Sequence, residues 1–103
     1  MQNTFKKTLL ATAAASLIAG AAHADIKVGV ILGFTGPIES LTPAMADSAE
    51  LAFDEASNSG LLLGGDSIVS VRGDSTCVDA AAATTAAERL VSPEGVVAIM
   101  GAD

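Results

Sequence analysis

The chain has neither Trp nor Tyr, and only three Phe, one Cys and one His among its 103 residues. With no aromatic series there is nothing to stack nucleic-acid bases, and basic residues are equally scarce. Beyond residue 24 positive charge comes from Lys27, Arg72 and Arg89 alone, against all 12 acids, a formal charge of −9. Nucleic acid and anionic membrane surfaces are poor partners for such a chain, and the excess acid serves solubility first. The one imidazole, His23, falls in a segment expected to be removed, which leaves no His for base catalysis or metal binding. No Walker loop is present. Gly29, Gly33 and Gly36 are spaced G-x-x-x-G-x-x-G, without the tight first Gly-x-Gly of a dinucleotide fingerprint. Asp47, Glu50, Asp54 and Glu55 stand where a solvated helix face needs charge, so no acid pair is singled out. The expectation is a non-catalytic protein with no cofactor and no metal site.

The amino terminus carries the most direct information. Lys6 and Lys7 precede an apolar run from Leu9 to Ala22, and Ala22-His23-Ala24 places small residues three and one before Asp25. That three-part pattern is a Sec-type signal, giving a cleaved segment over 1–24 and an exported product starting at Asp25. The run is Ala-rich and shorter than the roughly 20 residues needed to cross a bilayer. No Cys at the junction offers a lipid anchor, so an unanchored exported protein points to the periplasm of a Gram-negative type of cell.

Residues 25–103 read as strand, helix, strand, helix, strand. Ile26 to Leu32 is nearly continuous β-branched and apolar sequence, which suits a strand covered on both faces. Thr42 is positioned to cap a helix with Pro43 in its first turn. Met45, Ala49, Ala52, Phe53 and Ala56 share a helical face, and Gly60 supplies the left-handed stop. Ser67 to Arg72 alternates, with Val69 and Val71 on one face and Ser70 and Arg72 on the other, as in a half-exposed edge strand. Thr76 and Asp79 have capping-box spacing before an Ala-rich helix whose stripe is Ala83, Ala87, Leu90 and Val91. Ser92-Pro93 ends that helix, and Val96 to Met100 reads as a second central strand.

This alternation predicts an α/β fold of three layers, αβα, with a parallel sheet in the order 2-1-3. Ligands bind such sheets beyond the carboxyl ends of the strands, where the order reverses. Here that is the loop Gly33 to Leu41 and the residues from Gly101 onward. Residues 25–103 are therefore expected to be the amino-terminal part of a longer protein, with the remainder of the site beyond Asp103.

In this order the residues resemble a family. Ile26 to Leu32, the Thr35-Gly36-Pro37 turn, the helix ending at Gly60, Arg72-Gly73-Asp74, Cys77 and Val97-Ala98-Ile99-Met100-Gly101 look like the start of a type I periplasmic binding protein. The branched-chain amino-acid receptors of ABC importers are nearest in appearance. The resemblance implies two lobes closing on an amino acid or small amide, of which this chain holds part of the first, and an inner-membrane ABC permease as partner. The complete protein is expected to be a monomer. A sensor module of the same fold is the alternative, and an exported α/β enzyme a further one; a second lobe, a membrane span or a catalytic set beyond Asp103 would separate the three.

For residues, the resemblance implies that Gly33, Thr35, Gly36 and Leu41 line the cleft, Leu41 near a position where the leucine receptors carry an aromatic over the ligand. Thr35-Gly36-Pro37 is in the first instance a sharp turn. Asp103 corresponds to a cleft-facing position, where an acid favours a cationic or amide group or simply accepts from loop N–H groups. A lone Cys77 is unusual outside the cytoplasm. One reading is a small buried core residue. In the leucine-type receptors a cysteine at this place pairs with one directly after the third strand, which implies a partner at or near position 104.

Overall fold

The computed structural model describes residues 22–102. Strand β1, Asp25–Leu32, lies at the centre of a three-stranded sheet, parallel to β2, Ser67–Asp74, on one side and to β3, Ala98–Met100, on the other. The order is the expected 2-1-3. β1 and β2 pair along their whole length, from Asp25 opposite Ser67 to Leu32 opposite Asp74.

Alternation along β1 sends successive side chains to opposite faces, and each face meets its own helix. Helix α1, Thr42–Asn58, covers the first face, where Val30, Leu32 and Ala46 form a buried cluster flanked by Phe34 and Phe53. Helix α2, Ala80–Val91, covers the second. There the fully buried Leu90 lies 3.0 Å from where a Cβ on Gly29 or Gly73 would stand, so the two glycines make room for it. Helix, sheet and helix make the three layers predicted.

Beside β2 the first face is ionic. Arg72 lies 2.6 Å from Asp47 and 2.7 Å from Glu50 on α1, its Nε donates to Glu50 at 2.8 Å, and the Ser70 hydroxyl donates to Glu50 at 2.8 Å. Its guanidinium also stands 5.4 Å from the Phe34 ring centroid. Ser70 and Arg72 thus face α1 rather than an open side, and the solvent-facing apolar residue of this strand is Val69, 38 % exposed. Glu50, bonded to both Ser70 and Arg72, is half-buried rather than on the solvated face assigned to it.

The buried stripe of α1 is also rotated from the expected one. Thr42 and Ala46 are buried, with Ala49, Phe53 and Ala56 partly so, whereas Met45 and Ala52 are exposed. Thr42 does not cap the helix either. Leu41 occupies the N-cap without a side-chain bond, and the buried Thr42 hydroxyl donates instead to the Gly33 carbonyl at 3.0 Å. Gly60 adopts the expected positive φ of +70°. At α2 the cap is Asp79, whose carboxylate accepts from Ala81 N and Ala82 N, while Thr76 Oγ1 accepts from Asp79 N. The Thr76 hydroxyl thus makes the bond expected of a capping box, while Asp79, instead of reaching back to Thr76 N, caps the helix itself, which starts three residues later. Its stripe uses Ala86 and Leu90, leaving Val91 exposed. The third strand is also shorter than expected and, among the described residues, paired on one side only, with Val97, Ile99 and Met100 exposed.

Candidate functional site

All three strands run the same way, so their carboxyl ends deliver three segments to one edge of the sheet: 33–41 after β1, 75–79 after β2, and Gly101 and Ala102 after β3. The chain leaves β1 for one flank and returns to the other, which makes this edge the switch point of the sheet.

Asp74, the last residue of β2, ties the first two segments together. Its Oδ2 accepts from the Thr35 hydroxyl at 2.6 Å, and its Oδ1 accepts from Thr35 N at 3.2 Å and Thr76 N at 2.9 Å. These bonds, the Thr35 hydroxyl foremost, hold the Asp74 carboxyl below the usual carboxylate range. The Leu32 carbonyl joins the same two segments, accepting from Phe34 N at 2.9 Å and Ser75 N at 3.0 Å.

Two glycines allow this approach. A Cβ on Gly36, whose φ is +102°, would meet the Thr76 carbonyl oxygen at 2.6 Å. One on Gly33 would stand 3.0 Å from the Cys77 Cβ and 3.3 Å from Ile38. Gly101 lies against the Ile31 carbonyl on the β3 side. An open concavity of about 270 Å³, lined by Ser75, Cys77, Val78, Asp79, Ala83 and Ala102, spans the ends of β2 and β3 and the start of α2. A larger hollow of about 380 Å³ runs along α1 and the outer edge of β2, with Glu50 and Ser70 in its lining already bonded to each other.

Of the residues predicted from sequence, Gly33, Thr35 and Gly36 gather at this edge. Gly33 is buried under the turn, and Thr35 and Gly36 are exposed. Leu41 is 61 % exposed at the start of α1. Asp103 and residues 1–21 of the expected signal segment lie outside the described residues. Cys77 is exposed and forms no disulfide among the described residues, so the buried-core reading of this cysteine is overturned: the turn at Thr76 and Cys77, both at positive φ, carries it to the surface. Asp74 escaped sequence reasoning as a site residue. The signal available was Asp74-Ser75-Thr76, an acid whose carboxylate accepts the N–H two residues on. Among the described residues no group of three or more His, Cys, Asp or Glu could hold a metal, and no helix is long and apolar enough to cross a membrane.

A parallel α/β sheet with its loops converging at the switch point defines the class: a doubly wound α/β domain, a fold whose ligand sites lie at the strand ends. Within it, the periplasmic binding protein family matches residues 25–103, and the chain belongs to that family. A protein of Brucella suis named "Leu/Ile/Val-binding protein homolog 7" is 42 % identical over 98 residues, 93 % of this chain and 24 % of that protein. "Leu/Ile/Val-binding protein BraC3" of Rhizobium johnstonii is 44 % identical over 59 residues, 56 % of this chain and 16 % of its own length. "Leu/Ile/Val-binding protein homolog 8" of Brucella abortus is 39 % identical over 92 residues, 89 % of this chain and 22 % of its own. The chain thus spans about a quarter or less of the length of these relatives.

Proposed function

We propose that this chain is the amino-terminal part of a periplasmic solute-binding component of an ABC importer, non-catalytic, which takes a branched-chain amino acid or a related small amide between two lobes. The observation that carries the reading is the convergence of 33–41, 75–79 and 101–102 at the switch point of a sheet belonging to this family. The relatives' names supply the ligand class. In this reading Gly33, Thr35, Gly36 and Leu41 form the rim of one lobe, and Asp103 serves the same cleft. Segment 1–24 directs export and is cleaved before Asp25, and Cys77 is bonded to a cysteine at or near position 104. The complete protein works as a monomer that presents its ligand to an inner-membrane permease.

The test is calorimetry on the complete reading frame against amino acids, amides and sugars. A branched-chain amino acid or small amide should bind. Leu41→Asp should weaken it about tenfold or more, as expected when the ~1.5–3 kcal/mol of a buried Leu contact is lost. Binding of sugars alone, or unchanged affinity in Leu41→Asp, would sink the reading.

A further inference from the structure

Of Gly33, Thr35, Gly36 and Leu41, Thr35 alone has a side-chain hydrogen-bonding group, and that group is already engaged. Its Oγ1 lies 2.6 Å from Asp74 Oδ2. An ionised carboxylate has no proton to give, so the hydroxyl donates and its single proton is committed to Asp74. The same carboxylate receives the Thr35 and Thr76 backbone N–H groups through its other oxygen. Three donors from two loops therefore converge on one side chain that ends the edge strand. Gly36 meets the Thr76 carbonyl closely enough to leave no room for a side chain, so the loops are interlocked as well as bonded.

We propose that Asp74 is a positioning residue of the ligand cleft: it latches the 33–41 rim to the 75–79 loop through Thr35. Thr35 then acts on the ligand by way of this latch, not as a hydrogen-bond donor to it. The inference rests on the cleft reading above and adds a residue that neither the sequence reasoning nor the family's match had assigned. Two consequences follow from the latch. Both substitutions remove the bond between Thr35 and Asp74, so their losses are strongly non-additive. Any variant that keeps a hydroxyl at position 35 preserves the function, because the methyl group takes no part in the bond.

The experiment uses the full-length protein, with amide hydrogen exchange and calorimetry against leucine, isoleucine, valine and their amides. Thr35→Val should weaken binding about tenfold, the equivalent of one charge-assisted hydrogen bond, Asp74→Ala, which strips all three donors of their acceptor, at least as much, and the double variant should be no weaker than Asp74→Ala alone. Thr35→Ser should bind like the wild type. In Asp74→Ala, with or without ligand, amides of 34–36 and of Thr76 should exchange faster while Val30 in β1 keeps its protection, which also shows that the fold is intact. Wild-type exchange at Thr35 and Thr76 in Asp74→Ala overturns the proposal, as do additive losses or a Thr35→Ser as weak as Thr35→Val. If the wild type binds none of these ligands, the ligand reading falls and the latch stands or falls on exchange alone.

Discussion

Replacing Gly36 by Ala tests the geometry of the rim most directly, because two separable costs meet there. The backbone holds φ at +102°, a region that L side chains rarely adopt, and strain of this kind costs roughly 1–3 kcal/mol. The new Cβ would also stand 2.6 Å from the Thr76 carbonyl oxygen. Comfortable contact needs about 3.5 Å, so the two loops must part by close to 1 Å, and forced overpacking of this sort costs about 1–3 kcal/mol. A separation of that size also stretches the 2.6 Å bond between Thr35 and Asp74 beyond hydrogen-bond length. The two costs together give an expected loss of about 2–6 kcal/mol.

Gly60→Ala is the matched control. Gly60 is likewise left-handed, at φ +70°, yet nothing lies within 4 Å of where its Cβ would stand, so only the conformational cost of about 1–2 kcal/mol applies. Urea titration of the complete protein at constant m gives both values, and their difference isolates the contact with Thr76. A Gly36→Ala variant within about 0.5 kcal/mol of Gly60→Ala would refute the interlocked rim, since that is the spread of substitutions that disturb nothing.

Leu90→Ala should cost about 3–5 kcal/mol by chemical denaturation, the upper part of the usual range, because the hole opens onto Gly29 and Gly73, which have no side chain to fill it; a loss below about 1 kcal/mol would contradict the packing of α2. Asp74 and Glu50 both have depressed carboxyl values, Asp74 through Thr35 and Glu50 through Arg72, so their stabilisation is complete above the unfolded value of about 4 and is lost as pH falls through the lower folded values. Arg72→Met should therefore flatten the acid side of the stability curve and cost about 1 kcal/mol at neutral pH, whereas an unchanged acid limb would count against the pairing. Cys77 of the complete native protein should resist alkylation until reduced, and ready labelling of the unreduced protein would remove the proposed disulfide.

The strands and their order were legible because β1 is covered on both faces and its sequence from Ile26 to Leu32 says so without ambiguity. Helix rotation was not legible, since it depends on an interaction between distant segments. Apolar spacing alone puts Met45 and Ala52 inward, whereas packing on β1 buries Ala46 beside Val30 and Leu32. Caps moved for a similar reason. A hydroxyl bonds whichever group tertiary structure brings near, so Thr42 serves the Gly33 carbonyl, whereas Thr76 keeps its expected local bond to Asp79 N and the cap itself passes to Asp79.

The candidate site divides along the same line. Gly33 and Gly36 were readable because a sharp turn after a buried strand needs residues without side chains, and the structure uses both for close loop contacts. Asp74 was not, because its partner Thr35 is 39 positions away and nothing local pairs the two. What joins them is the in-register pairing of β1 with β2, which sets Leu32 opposite Asp74 and so brings the residues just beyond the strand ends within reach. A rim held in this way owes its shape to the sheet register more than to either loop. Changes that preserve the register should leave the rim in place, while loss of the Asp74 carboxylate should release it without disturbing the strands beneath.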